Sequence, residues 1–372
     1  MRFAIVVPVV YGLLGVRETL LLAKSLSEED GINVDIYIHT LKEEVYDELR
    51  SKAGKARIHC LNRKNDLKGS NFRHIYHQLT RKLDKELSRF IESQHELNKY
   101  EAIVVCGNEG HWIPEYVRKW KSGEHPIVGV YVQEIIDHIF LLKRERDYTI
   151  MRTVLFPLLP LLHFIEDKRL SQFDVVVAVS DWTSQILQYL YGHHPDMILS
   201  IIDVKLFAKP KGSIRKNYIA LPTASLDKEG IDTAIGLFNE GINLISYGSR
   251  EIKPIPHMGF LDDTAMIRFL AEAKATLFLF DYEGLGLIPL ESLSVGTPVI
   301  TYDKQGPFAT LIHAPEECVS FGHTYESLKT HCVLALSREI THFQTCVDFM
   351  TKFSPEGQVK QLIGIFKSRR QK

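Results

Sequence analysis

The sequence predicts an α/β protein: two Rossmann-like, doubly wound parallel sheets in one chain of 372 residues. Three observations carry that expectation. Between residues 2 and 61, apolar runs that read as buried strands alternate with amphipathic helical stretches. The same alternation returns between 218 and 302, after a polar, breaker-rich segment, Lys209-Pro210-Lys211-Gly212-Ser213. The length also suffices for two domains of ordinary size.

Composition bounds what such a protein does. Formal net charge is −1, and residues 1–205 carry 27 basic and 28 acidic side chains against 18 and 18 in the remainder. No global field is present to recruit nucleic acid, so nucleic acid is not an expected partner. Five cysteines (Cys60, Cys106, Cys318, Cys332 and Cys346) have an odd count and no C-x-x-C spacing. That pattern predicts buried thiols in a reducing compartment rather than a disulfide frame or a zinc site. Arg2–Val10 is short and runs straight into a domain-like pattern, so a signal peptide is not expected.

In chain order, Arg2–Val10 reads as a buried strand closed by Tyr11-Gly12-Leu13-Leu14-Gly15. A helix follows from Val16 to about Ser27, then a strand over Asn33–Ile38, a helix over Glu43–Ser51 and a strand over Ala56–Leu61. Gly12 and Gly15, between strand and helix, could admit a phosphate or sugar or could simply make a tight turn. Residues 72–97 carry Ile75, Leu79, Leu83, Leu87 and Ile91 at four-residue intervals, predicting one long helix with a solvated face. Ala102–Cys106 and Pro126–Val132 read as buried strands. Each ends in a polar cluster: Asn108-Glu109-Gly110-His111 after the first, Gln133-Glu134 with Asp137-His138 after the second. Such clusters could receive an acceptor hydroxyl, or the histidines could be structural.

Residues 150–164 form the most apolar stretch, broken by Arg152, Pro157 and Pro160 and too short to span a membrane as a helix. Two readings stand: a buried, kinked helix, or a membrane-surface contact supported by Lys143, Arg144 and Arg146 upstream. Phe173–Val179 is a strand, and Ser180 or Asp181 caps the helix after it.

In the carboxyl-terminal half, strands over Tyr218–Leu221 and Asn243–Tyr247 alternate with helices over Ile231–Asn239 and Thr264–Ala273. A buried strand, Thr276–Phe280, then enters an acidic glycine turn holding Glu283, Gly284 and Gly286. A helix from Leu287 to about Val295 stops at Gly296, with Pro298 just beyond and a strand from Val299. This strand–turn–helix–strand unit points its turn to the carboxyl ends of the strands, where open α/β sheets bind ligands. The N–H groups from Gly284 to Leu287 lack intrahelical partners and could hold an anion, with carboxylates beside them for hydroxyls. A helix start with acidic residues near its positive end is the other reading.

The whole stretch resembles the donor-site signature of retaining GT-B glycosyltransferases of the family 4, or group 1, type. The residues are Glu283-Gly284-Leu285-Gly286-Leu287-Ile288-Pro289-Leu290-Glu291 and then Gly296-Thr297-Pro298. The resemblance implies that Glu283 contacts the hydroxyls of the transferred sugar and that Glu291 holds the nucleotide's ribose. It also implies that the glycine turn's N–H groups meet the sugar and diphosphate. Gly15-Val16-Arg17-Glu18 looks like the family's first loop, Phe173–Ser180 like its last amino-domain strand, and Ile201–Phe207 like its linker. Pro254–Leu261 resembles the segment whose backbone contacts the base, and Gln358–Phe366 the helix that crosses back. Where the family has a diphosphate-gripping arginine, this chain has Thr223-Ala224-Ser225. Glu229 directly precedes Gly230, and Lys228 matches the family's lysine with a one-residue shift.

The resulting expectation is a GT-B fold with facing domains and a cleft: an acceptor domain over 1–205, a donor domain over 206–352 and a returning helix over 353–372. The expected activity is transfer of a hexose from a nucleotide diphosphate sugar to an acceptor hydroxyl, with retained configuration. No Asp-x-Asp pair is present, so no metal is expected, and no cofactor beyond the donor substrate. The catalytic assignment is Glu283 and Lys228. Donor contacts are assigned to Glu291, Gly284, Leu285, Gly286, Leu287, Gly248, Gly12 and Gly15, and the acceptor side to His111, Glu134, Asp137 and His138. Expected partners are the nucleotide sugar and a sugar, lipid or protein acceptor, with a peripheral membrane contact through 150–164 as the sharper alternative for a cytoplasmic protein. The rival functions are an inactive sugar-nucleotide-binding relative and a nucleotide-sugar 2-epimerase. A dinucleotide oxidoreductase lacks its G-x-G-x-x-G.

Overall fold

The apolar run at the amino end folds as β1 (Arg2–Val10), and Phe3 to Val6 have no solvent exposure. The structure, a computed structural model, describes residues 1–12, 16–65, 81–107, 110–120, 125–132, 159–208, 210, 212–280, 284–339 and 343–371. Two compact units are present. The first comprises residues 1–179, 183–201 and 355–372, and the second 180–182 and 202–354. The expected α/β class with two parallel sheets is what the chain adopts.

In the first unit β1 is followed by α1 (Arg17–Glu28), β2 (Asn33–Lys42), α2 (Tyr46–Lys52), β3 (Arg57–Lys64), α3 (Lys82–Asn98) and β4 (Ala102–Cys106). Then come α4 (Ile113–Val117), β5 (Ile127–Val132), α5 (Leu159–Leu170), β6 (Val175–Ala178), α6 (Asp181–Tyr191) and β7 (Asp196–Met197). All pairings are parallel, in the order β3-β2-β1-β4-β5-β6-β7. Strands buried on both faces explain the uninterrupted apolar runs.

The single helix expected over 72–97 is interrupted at Arg81, and residues 72–80 lie outside the described ones. Among the described residues it begins at Lys82, because Arg81 is left-handed at φ 54°. Its guanidinium lies 3.4 Å over the Trp112 ring and donates to Glu115 at 3.0 Å, two contacts that hold the chain there. The last helix, α13 (Pro355–Arg370), packs into the first unit. Phe366 meets Phe3 edge-on at 5.6 Å, in space left by Gly129, whose Cβ would lie 2.6 Å from the Phe366 ring.

A buried carboxylate on β2 makes this unit acid-sensitive. Asp35 has no side-chain exposure and accepts from Arg57 at 2.7 and 2.8 Å, from His59 at 2.9 Å and from the Tyr100 hydroxyl at 2.9 Å. Burial alone would raise its pKa, but the His59, Arg57 and Tyr100 hydrogen bonds and the Arg57 charge outweigh it and hold the group at about 2. The folded form binds its proton more weakly than the unfolded chain, so this stability is full above about pH 4 and fades as pH falls toward 2. The loss is on the order of 2 kcal/mol. Urea titrations across that range should show it, and Asp35→Asn should flatten that part of the profile. Equal acid slopes in both proteins would refute the assignment.

The second unit contains β8 (Ile219–Pro222), α7 (Lys228–Asn239), β9 (Leu244–Tyr247), α8 (Asp263–Glu272), β10 (Ala275–Phe278), α9 (Leu287–Ser294) and β11 (Val299–Tyr302). They are followed by α10 (Gln305–Leu311), β12 (Val319–Gly322), α11 (Tyr325–Ser337) and α12 (Phe343–Met350). Its sheet, also parallel, runs β12-β11-β10-β8-β9. Strand order reverses between β8 and β10, as it does between β1 and β4 in the first unit.

Candidate functional site

A reversal of strand order leaves loops diverging at the strands' carboxyl ends, which makes a crevice there. In the second unit the diverging loops are those after β8 and β10. They are packed closely: a Cβ on Gly230 would lie 3.0 Å from the Leu279 carbonyl and 2.9 Å from Leu226 Cδ2. Asp227 caps α7 by accepting from the Gly230 N–H at 2.8 Å, which leaves Lys228 exposed at the first helical position. Thr223 is buried and donates both its N–H and its hydroxyl to the Tyr247 carbonyl at 3.0 Å. Gly248 follows at φ 122°, where a Cβ would crowd Thr223 Oγ1 at 3.0 Å.

The turn after β10 ends at Gly286, which opens α9 at φ 79° with no side-chain cap. Among the described residues no side chain caps the first-turn N–H groups of Leu287 and Ile288, while Pro289 contributes none. Gly284 and Leu285 are buried, and Ser180, a member of the same unit, donates to the Gly284 carbonyl at 3.1 Å. Glu291 lies one turn into α9 and is 4% exposed. Burial first, and then the Glu291 charge, push the Tyr247 phenol well above its ordinary pKa. The Tyr247 hydroxyl is buried and bonds nothing among the described residues. Glu283 lies outside them.

Arg250 is a residue that the sequence reading missed. Two positions past Gly248, it donates from Nη1 to the Leu226 carbonyl at 3.2 Å, which brings a guanidinium to the loop that lacks an arginine of its own. Proximity across strands β8 and β9 is the only signal, and a one-dimensional pattern does not carry it. The segment 254–261 runs beside β9 through a Ser246–His257 bridge and a Gly248 N–H donated to the Gly259 carbonyl at 2.9 Å. Met258 and Phe260 on it are 54% and 71% exposed.

Gly296-Thr297-Pro298 has a structural task. Gly296 is left-handed at φ 72°, and its missing Cβ would lie 1.8 Å from the Phe343 ring. Thr297 donates its hydroxyl to the Leu270 carbonyl at 2.7 Å. Arg215, two residues past the breaker-rich segment 209–213, donates to the Gly296 carbonyl at 2.6 Å, to the Ala273 carbonyl at 2.7 Å and to Thr297 Oγ1. Burial pushes its pKa down to about 10.

In the first unit, Gly12 follows β1 with open space where a Cβ would stand. His111 follows β4 but is buried, with Nδ1 on Glu166 at 2.8 Å and Nε2 on the Gly107 carbonyl at 3.2 Å. Arg169 holds the other Glu166 oxygen at 2.7 Å. Glu18, which the site assignment omitted, is buried at the start of α1 and accepts from Tyr131 at 2.8 Å and from Ser200. Gly15, Glu134, Asp137 and His138 lie outside the described residues. Among the described residues no group of three or more His, Cys, Asp or Glu side chains could hold a metal ion.

Residues 252–340 match the family model described as Glycosyl transferases group 1. No curated protein sequence matches. Among solved structures, a sucrose-phosphate synthase from Thermosynechococcus elongatus aligns with a TM-score of 0.72 at 14% identity, over 99% of this chain and 98% of that one. The Anabaena protein Alr3699/HepE, solved in complex with UDP and glucose, aligns at 0.70 and 12%, over 99% and 100%. A glycosyltransferase from Rickettsia africae aligns at 0.67 and 14%, over 99% and 98%. The chain thus has a GT-B fold, and its second unit carries the group 1 glycosyltransferase segment, which includes Gly284–Gly286, Glu291 and Gly296-Thr297-Pro298.

Proposed function

We propose that the protein is a retaining glycosyltransferase that moves a hexose from a nucleotide diphosphate sugar to an acceptor hydroxyl. One observation carries the reading: an uncapped helix start and a buried glutamate one turn later lie beside the β8/β10 reversal, inside the segment that matches the family. The α9 N–H groups would receive the leaving diphosphate and stabilise the charge that develops on it. Lys228 and Arg250 would supply positive charge from the neighbouring loops. Glu291 would hold the ribose, and Glu283 the transferred sugar. Gly248 and the segment 254–261 would flank the base. In the first unit Gly12 and Gly15 would face the donor. His111, Glu134, Asp137 and His138 would line the acceptor side, with His111 fixed by Glu166.

The test is a panel of nucleotide sugars, beginning with UDP-glucose because HepE was solved with it. Ligand that binds the native state raises the melting temperature by mass action. Transfer to a broad acceptor panel should follow, with retained configuration read by NMR and with undiminished rate in excess chelator. Arg250→Ala should weaken donor binding by about 1.5–3 kcal/mol, the range for hydrogen bonds to charged groups. Unchanged affinity would remove Arg250 from the site. Binding without transfer or slow donor hydrolysis would favour the second reading, a non-catalytic sugar-nucleotide binder. The absence of arginine from 223–227 and the presence of Glu229 support that reading.

A peripheral membrane contact belongs to the same proposal. Leu161 and Phe164, three apart on α5, are 53% and 60% exposed, whereas residues 150–158 of the apolar stretch lie outside the described ones. No helix among the described residues is long and apolar enough to cross a membrane. Anionic liposomes should sediment the protein, less so at high salt, and Leu161→Asp with Phe164→Asp should abolish sedimentation. Sedimentation that survives both changes would remove α5 from the contact.

A further inference from the structure

Outside the proposed site, the second unit brings two thiols together. The sulfurs of Cys318 and Cys346 stand 2.6 Å apart, and both residues are fully buried. Cys318 sits just before β12. Its N–H donates to the Pro315 carbonyl at 2.8 Å and its carbonyl accepts from the Val299 N–H at 2.9 Å, so its backbone is tied to the sheet. Cys346 lies on α12, which packs against α9 and begins with the Phe343 ring that occupies the space beside Gly296. A disulfide bond is about 2.05 Å long, so closing the gap takes a shift of roughly half an ångström. Among the described residues no other cysteine sulfur bonds a second sulfur.

We infer that Cys318 and Cys346 are a cross-linking pair that a hydroperoxide converts to an intramolecular disulfide, and that the bond fixes α12 behind the Gly296–Pro298 turn. In the reaction, one sulfur attacks a peroxide oxygen and becomes a sulfenic acid as the first water leaves. The second sulfur then displaces the hydroxyl, which departs with the remaining thiol proton as the second water. Two thiols are oxidised by two electrons and one peroxide is reduced to two waters. Burial suits a small oxidant of this class. The Cys318 sulfur and burial push the Cys346 thiol up, and the Arg215 charge opposes them only in part, so the pair rests as two thiols until the oxidant reaches it. The bond would close a loop between positions 28 apart, which restricts the unfolded chain and stabilises the fold. This inference does not rest on the proposed activity.

The experiment treats the reduced full-length protein with hydrogen peroxide, then unfolds it in an alkylating agent. The expected intact mass shows three alkylated cysteines of the five, and peptide mapping joins Cys318 to Cys346. A thiol reductant should restore all five sites. The oxidised protein should melt about 5–10 °C higher, in line with a loop of this size in a unit of this length. Cys332→Ser should still cross-link, whereas Cys318→Ser and Cys346→Ser should not. Five alkylated sites after peroxide, a bond to Cys332, or sulfinic acid in place of the linkage would overturn the pairing. A mapped Cys318–Cys346 bond with an unchanged melting temperature would overturn the fixing of α12. The wild-type mapping decides the pairing even where a serine variant fails to fold.

Discussion

Glu291→Gln is expected to weaken nucleotide-sugar binding by about 1.5–3 kcal/mol, roughly tenfold to more than a hundredfold, because a charge-assisted hydrogen bond becomes a neutral one. Glutamine keeps the shape of a side chain that is 4% exposed, so the fold should be disturbed little. The neighbouring Tyr247 gives an internal check. Removing the Glu291 charge takes away one of the two causes that push the phenol up, so its titration should move down toward the ordinary range. Glu283→Gln should behave differently. If Glu283 meets the transferred sugar, its loss lowers turnover while leaving affinity for the free nucleoside diphosphate intact, since that ligand lacks the sugar. Calorimetric titrations of nucleoside diphosphate and intact donor against both variants, followed by transfer assays, separate the two roles. Equal loss of both affinities in Glu283→Gln would contradict its assignment. Two variants that merely unfold would leave α9 as an ordinary helix start with acidic neighbours.

Much of the fold was legible because both sheets are parallel and buried. Strands such as Arg2–Val10 and Ala102–Cys106 then read as continuous apolar runs, and the observed elements have those bounds. Gly296 was legible as a left-handed helix stop because a glycine that ends a helical stretch, with Pro298 two residues on, has few other uses. The edge strand β12 was not legible, since Val319-Ser320-Phe321-Gly322 is only half buried and mixes polar and glycine residues, unlike the apolar runs of the equally short inner strands. Arg81 hid a break inside a helical pattern, since its left-handed backbone depends on Trp112 and Glu115 some thirty residues on. At the site, the motif placed Gly284–Gly286 and Glu291 by chain order alone. Arg250 and Arg215 act on carbonyls far along the chain, so their roles depend on strand order and not on spacing. The Cys318–Cys346 contact is of the same kind: cysteine spacing argued against a disulfide frame, and the fold joins two sulfurs that spacing could not pair.

Gly296→Ala should be among the most damaging single changes in the second unit, at about 2–4 kcal/mol from overpacking and a left-handed backbone together. The added Cβ would sit 1.8 Å from Phe343 Cδ2 and 2.3 Å from Cε2, and an aromatic ring on a helix packed against α9 has little freedom to swing away. Positive φ, here 72°, adds a cost that alanine cannot escape by repacking. The two contributions separate in a double-mutant cycle with Phe343→Ala. With the ring gone, the steric part should vanish and only about 1–2 kcal/mol for the backbone should remain, so the pair should be clearly less damaging than the sum of its members. Chemical denaturation of the four proteins supplies the cycle. Additive losses would show that the ring yields freely and that only the backbone matters. The same variant also divides structure from function. Gly296 lies past the carboxyl end of α9, whereas the proposed donor groups lie at its amino end and one turn in. Well below its melting temperature, Gly296→Ala should therefore bind nucleotide sugar like the wild type. Weakened binding in a fully folded sample would bring the Gly-Thr-Pro turn into the donor site itself, and the structural account of Arg215, Thr297 and Phe343 would have to give way.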